Sequence, residues 1–210
     1  MRRREFITLL GGAIAWPLVA RAQQKSVNIG LMGAGAADTS APLIEALKQG
    51  LRENGLIEGK DYVLELRWAE GHYERFAEFA RELAEQRVGI IVVNTIAAAR
   101  AAQRATSVIP IVMATMNDPV GNGLIASLAR PGGNTTGLAT LNQDVTPKLL
   151  ELLHTFIPSA TTIAVLFNPA NPSNPVYADS VRVQAAPLGI AVQSFALKTP
   201  DELNSVVGTM

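Results

Sequence analysis

Apolar runs rich in β-branched residues alternate with segments of helical period along most of this chain, and that alternation constrains its fold more than any other feature. Residues 27–32 (Val-Asn-Ile-Gly-Leu-Met) read as a buried strand. Residues 41–54 then carry Leu43, Ile44, Leu47 and Leu51 on one 3.6-residue stripe, and Gly55 follows as a stop. Residues 62–68 predict a second strand. Residues 73–86 predict an amphipathic helix with Phe76, Phe79, Ala80 and Leu83 turned inward. Residues 89–93 are apolar throughout, as expected of a strand covered by helices on both sheet faces.

The same grammar continues downstream. It predicts an Ala-rich helix over 97–105, a strand over 109–114, a short helix over 123–129 and a strand over 136–140. Pro131-Gly132-Gly133-Asn134 forms the turn before that last strand. A helix over 146–156, closed by Pro158, leads to strand 162–167, helix 177–188, strand 190–195 and a final helix from Thr199. Strand–helix–strand units of this length cross over right-handed, which makes the fold class α/β with parallel, doubly wound sheets.

The N-terminus obeys a different logic. Arg2, Arg3 and Arg4 precede an apolar stretch over 6–19, and Ala20-Arg21-Ala22 supplies small residues for signal-peptidase cleavage. Residues 1–22 are therefore expected to be a secretory signal, and Arg3-Arg4-Glu5-Phe6-Ile7 fits the twin-arginine pattern. That stretch is too short to span a bilayer. Four of the 18 basic residues (Arg2, Arg3, Arg4, Arg21) and one of the 18 acids (Glu5) lie in it, so the remainder carries a net charge of −3. A surface of that sign excludes a polyanion binder, and no nucleic-acid partner is expected. Cysteine is absent, which removes disulfides, thiolate metal sites and a lipid-anchoring cysteine. The expectation is an exported, soluble, periplasmic protein without a lipid anchor.

Parallel sheets bind ligands outside the carboxyl ends of their strands, and those places are small and polar here. The first strand is followed by Gly33, Asp38, Thr39 and Ser40, and the third by Asn94 and Thr95. After the fourth come Thr115, Asn117 and Asp118, and after the strand ending at Phe167 come Asn168, Asn171, Ser173 and Asn174. Helix-start N–H groups at these loops can hold an anion, and Asp38 or Asp118 could hold an ammonium group. Thr39, Ser40, Asn94, Thr95 and Ser173 are equally good N-cap residues, and Asp118 before Pro119 equally reads as a turn. Gly33-x-Gly35 is not a dinucleotide loop, because its third small position would be Asp38, a carboxylate where pyrophosphate should approach. Neither a nucleophile elbow nor a P-loop is present. His72 and His154 read as solvated or packed residues, Trp68 as a cover for the core at a strand end, and Glu70 as a solvated loop charge.

Ordered motifs along the chain carry a family resemblance. They are Arg3-Arg4-Glu5-Phe6-Ile7-Thr8-Leu9-Leu10-Gly11-Gly12, Gly50-Leu51-Arg52-Glu53-Asn54-Gly55, Arg67-Trp68-Ala69-Glu70-Gly71, Ile109-Pro110-Ile111-Val112, Asp118-Pro119-Val120, Arg130-Pro131-Gly132-Gly133-Asn134-Thr135-Thr136-Gly137 and Asn168-Pro169-x-Asn171-Pro172. Together they resemble the TrpX-like ABC transporter substrate-binding family. The resemblance implies a type I periplasmic-binding-protein fold, with a first lobe over 26–142 and a second, incomplete in this chain, over 143–210. It implies ligand contacts in 32–40, at 94–95, over 115–118 and over 168–174. It also implies a small amino-acid-like or carboxylate ligand, ABC permease subunits as partners, no cofactor, no metal and no catalysis. Alternatives are an exported α/β enzyme using Asp38 or Asp118 as acid or base, and a module that presents ligand to a signalling receptor. The Gly- and Ala-rich loop after the first strand departs from relatives that bind aromatic amino acids.

Overall fold

A computed structural model describes residues 26–171, 173–197 and 202–208. The expected signal segment and Thr199 lie outside the described residues. Among the described residues seven strands form two sheets: a five-stranded one in the order β2-β1-β3-β4-β5 and a two-stranded one, β6-β7. Every pairing is parallel.

In the first sheet, β1 (Val27–Gly33) pairs with β2 (Tyr62–Trp68) over its full length and with β3 (Ile90–Val93) on its other side. β4 (Ile111–Asn117) and β5 (Thr135–Thr140) extend the sheet beyond β3. The chain adds β2 to one side of β1 and β3 to the other, so the direction of winding reverses between β1 and β3. A crevice opens outside the carboxyl ends of strands at such a point.

Helix α1 (Ala37–Glu53) follows β1, and α2 (Phe76–Glu85) follows β2 through a 3-10 turn over Tyr73–Arg75. Helix α3 (Ile96–Ala105) follows β3. Its Ala98, Ala99, Ala101 and Ala102 are buried, and side chains this small let the helix lie close against its neighbours. The core collects Met32, Phe76, Phe79, Leu83, Ile91, Val93, Ile111, Met113 and Met116. Burying a side chain of this size contributes roughly 1.5–3 kcal/mol against leaving it in water.

One expected element is absent. Residues 123–129 form turns rather than a helix. Gly123 sits at φ +67, in the left-handed region, and both Leu124 and Ile125 donate to the Pro119 carbonyl. Ala126 instead donates forward to Pro131, so no i→i−4 ladder is available. The loop is held by α3, whose Gln103 Nε2 donates to the Leu124 carbonyl at 2.7 Å and to Thr135 Oγ1 at 2.9 Å.

The second sheet joins β6 (Thr162–Phe167) to β7 (Ala191–Ala196) in register from Thr162↔Ala191 to Phe167↔Ala196. Around it lie α4 (Asn142–Phe156), α5 (Asn174–Ala185) with a 3-10 turn over Ala186–Leu188, and α6 (Glu202–Val207). Its core is small: Leu150, Val181, Ala185 and Ile190. Val145, Leu149, Leu152 and Phe156 leave an apolar stripe of α4 in solvent, with Phe156 80% exposed. Among the described residues all strands of the first sheet precede those of the second, and the backbone leaves the first sheet through Leu141.

Two helices begin four residues before the sequence places them: α1 at Ala37 rather than 41, and α4 at Asn142 rather than 146. Each holds a proline, Pro42 or Pro147, in its second turn. Proline favours the first helical position, so it reads as a start. This near the N-terminus its missing N–H removes one bond and the helix tolerates it.

Candidate functional site

A cleft of about 1050 Å³ opens between the carboxyl ends of β3, β4 and β5 on one side and the start of α5 on the other. From the first sheet it receives Asn94 and Thr95 after β3, Thr115, Met116 and Asn117 at the end of β4, and Thr140 at the end of β5. The facing wall carries Asn171, Ser173, Asn174, Tyr177 and Ser180. Tyr73, Glu74 and Phe76 from the segment after β2, and Arg100 and Arg104 from α3, also line it.

Of the thirteen residues singled out from sequence, the structure brings seven to this cleft: Asn94, Thr95, Thr115, Asn117, Asn171, Ser173 and Asn174. The other six do not line it. Gly33 packs beneath Trp68: a Cβ there would stand 2.2 Å from the Trp68 ring. The loop after β1 is tied to the loop after β2 by N–H bonds from Ala69 to the Gly33 carbonyl and from Gly71 to the Ala34 carbonyl. That tie carries Asp38, Thr39 and Ser40 into the first turns of α1. None of the three is the N-cap, because Ala36 holds that position. Asp38 Oδ1 accepts the Thr39 N–H, Thr39 Oγ1 donates to the Ala36 carbonyl, and Ser40 is buried.

Asp118 and Asn168 shape turns. Asp118 sits at φ +43, its Oδ1 accepts the Gly121 N–H at 2.8 Å, and its own N–H donates to the Thr140 carbonyl. Asn168 Oδ1 accepts the Ala170 N–H at 2.9 Å. The two cap candidates in the cleft differ from one another. Thr95 caps α3, its Oγ1 accepting the Ala98 N–H at 3.1 Å. Ser173 stands at the start of α5 without a side-chain cap bond.

The hydrogen-bond polarity of the lining is uneven. Asn117 Oδ1 accepts the Asn142 N–H at 3.0 Å, and Asn171 Oδ1 accepts the Ser173 N–H at 3.1 Å. Each oxygen thus accepts one backbone N–H and keeps a second lone pair, while both NH₂ groups are left over; Asn174 is the reverse, its Nδ2 donating to the Asn168 carbonyl at 3.3 Å. Thr146 has one proton, which it gives to the Asn142 carbonyl, so Tyr177 O–H is the donor in the 2.9 Å contact between the two hydroxyls. Thr115 gives its proton to the Ala114 carbonyl.

Arg100 donates to the Asn122 carbonyl at 3.1 Å, and neither it nor Arg104 forms an ion pair among the described residues. Among the described residues Glu74 is the one carboxylate in the lining. A hydrogen bond from its own backbone N–H, aided by His72 at 3.2 Å, holds its carboxyl below the ordinary glutamate range, so it is ionised at neutral pH. Burial pushes the Tyr73 phenol up and keeps it neutral. Sequence reasoning passed over Arg100, Arg104 and Tyr177. The available signal was a pair of arginines at i and i+4 on a helix otherwise made mostly of alanine, one turn past a polar strand end.

The family described as ABC transporter substrate binding protein matches residues 36–210. The Tyrosine-binding protein of Clostridioides difficile (strain R20291) is 28% identical over 192 residues, 89% of this chain and 54% of that protein. A conserved domain protein from Vibrio cholerae superposes with a TM-score of 0.75 at 26% identity, covering 88% of this chain and 62% of that one. The ABC domain from Streptococcus pneumonia in complex with L-Trp gives a TM-score of 0.72 at 24% identity, covering 89% and 62%, a likeness of fold. The chain thus spans 54% of the length of the curated relative and 62% of each of these two solved structures.

Proposed function

The chain belongs to the ABC transporter substrate binding protein family and has its type I periplasmic-binding-protein fold, and from that premise we propose that its cleft captures a small organic solute for delivery to a membrane permease. One observation carries the reading. Strand ends of one sheet and the helix start beside another converge on a single polar cleft, with hydrogen-bonding side chains on both walls. Rotation of the halves toward one another would bring those walls onto a solute and exclude water. The Clostridioides difficile relative is a tyrosine-binding protein, which supports a solute of amino-acid or carboxylate size. Lobes over 26–142 and 143–210 supply the two walls, and Asn94, Thr95, Thr115, Asn117, Asn171, Ser173 and Asn174 are the proposed contacts.

Export and partnership complete the proposal. Residues 1–22 direct the chain to the periplasm, and ABC permease subunits receive the loaded form. The lining offers binding groups and no nucleophile with an adjacent base, which favours capture over catalysis.

The test is a thermal-shift screen of the full chain against amino acids, organic acids, amines and sugars, repeated with Thr115→Trp and Ser173→Trp, which fill the cleft from either wall. Hits that vanish in both variants support capture at this site. A complete absence of hits, or hits indifferent to both variants, would overturn it.

A further inference from the structure

Resting on that reading, we infer that the captured solute is an organic anion, a carboxylate that carries no ammonium group. The inference comes from the charges and hydrogen-bond polarity of the lining. An α-amino acid brings a cation as well as a carboxylate, and a desolvated ammonium needs a counter-charge or several free acceptors. Among the described residues the cleft's one lining carboxylate, Glu74, is exposed and already bonded to His72. Asp38 and Asp118 lie outside the lining, and Asp118 Oδ1 holds the Gly121 N–H. The amide oxygens of Asn117 and Asn171 each already accept a backbone N–H, and the other amide and hydroxyl acceptors of the lining, Asn174 and Thr115 among them, carry no charge.

The donors show the reverse. Asn117 and Asn171 present NH₂ groups from opposite walls, and Arg100 and Arg104 stand one turn apart on α3 without an acid partner among the described residues. Arginine donates in a planar fork that matches a carboxylate in two parallel bonds. A carboxylate entering this cleft meets surplus donors and two guanidinium charges, whereas an ammonium meets those two cations and one exposed carboxylate, Glu74, as its counter-charge. The oxygens of Thr115 and Tyr177, whose protons are engaged elsewhere, suit a hydroxyl on the same solute.

Calorimetric titration of the full chain with matched pairs tests this. The pairs are 3-(4-hydroxyphenyl)propionate against L-tyrosine, succinate against L-aspartate, and benzoate against L-phenylglycine, with tyramine as the cation alone. The inference expects at least one amine-free carboxylate to bind at least tenfold more tightly than its amino partner. It also expects Arg100→Gln with Arg104→Gln to weaken that carboxylate at least tenfold, and lysine at both positions to restore most of the loss. Tighter binding of the amino partners or of tyramine overturns the anion assignment and leaves capture standing, provided Thr115→Trp still abolishes it. Binding confined to neutral solutes of the broader screen overturns the assignment in the same way. Silence from every class overturns the capture reading and this inference with it.

Discussion

The side-chain carbonyl of Asn117, at the end of β4, accepts the backbone N–H of Asn142, the first residue of α4, at 3.0 Å. The bond joins the five-stranded sheet to the first helix beyond it and satisfies one N–H at a helix start, where four lack partners in their own helix. Beside it the Asp118 N–H donates to the Thr140 carbonyl at 2.8 Å. One asparagine therefore holds the joint with its oxygen and faces the cleft with its nitrogen.

Those two roles separate by mutation. Asn117→Ala loses the cap and should destabilise the chain by about 1 kcal/mol in urea titration. Asn117→Asp keeps an acceptor and places a negative charge at a helix N-terminus, so its stability should stay within about 0.5 kcal/mol. It exchanges the amide donor for that charge, so carboxylate affinity measured by calorimetry should fall by roughly tenfold, about 1.4 kcal/mol. Equal affinity in the wild type and Asn117→Asp would remove the donor role.

Gly137 in β5 sits at φ +139 opposite a register shift in β4 between Met113 and Met116. A Cβ there would stand 2.2 Å from the Met113 carbonyl oxygen and 2.6 Å from its nitrogen, and backbone cannot step aside as a flexible side chain can. Gly137→Ala should cost more than about 3 kcal/mol or abolish soluble expression. Gly55→Ala, also at positive φ but in open space, should cost only about 1 kcal/mol. Comparable urea midpoints for the two variants would refute the close contact.

Glu74 sets a pH dependence of known sign. Its native carboxyl titrates below the ordinary value of 4.5, because its own N–H and then His72 favour the ionised form. The associated stability is present at neutral pH and is lost as pH falls through that lower native value. Glu74→Gln lacks it, so any advantage of the wild type in melting temperature near neutrality should shrink to nothing well below 4.5. The group is exposed, so the difference is small. An advantage that grows on acidification would reverse the assignment.

Limited proteolysis should cut first between residues 140 and 147, where the backbone leaves the first sheet. The expected resistant fragment runs from about residue 26 to that cut, because five paired strands and one contiguous core protect it. The second sheet has two strands, a four-residue core and an exposed stripe on α4, so it should open and be digested sooner. Survival of residues 143–197 beyond the first fragment would invert the proposed order of stability.

Strand positions were legible because a covered parallel strand has no choice but to be apolar, as residues 89–93 are. Tyr62–Trp68 and Thr162–Phe167 coincide with observed strands to the residue. Helix starts were less legible, because Pro42 and Pro147 mimic first-turn prolines while occupying second turns. The false helix over 123–129 has a related cause: its apolar spacing suits a helix, but Gly123 at positive φ does not, and φ cannot be read from spacing. At the cleft, strand ends identified Asn94, Thr115, Asn117 and Asn171, since topology alone places them. Topology could not reveal that Trp68 covers Gly33 and that Ala69 and Gly71 tie down the loop before Asp38. That exclusion is a contact between distant residues, and only the folded chain expresses it.

The Asn117–Asn142 bond also governs how the two walls of the cleft keep their alignment. Residue 141 carries the backbone from the end of β5 into α4, and a backbone link alone leaves the torsions about its bonds free. The bond fastens the end of β4 to the start of α4, a second attachment beside the first. It therefore resists a twist that would slide Asn171 past Asn117 rather than bring them face to face. How faithfully the two walls meet depends in part on a hydrogen bond that need never touch the solute.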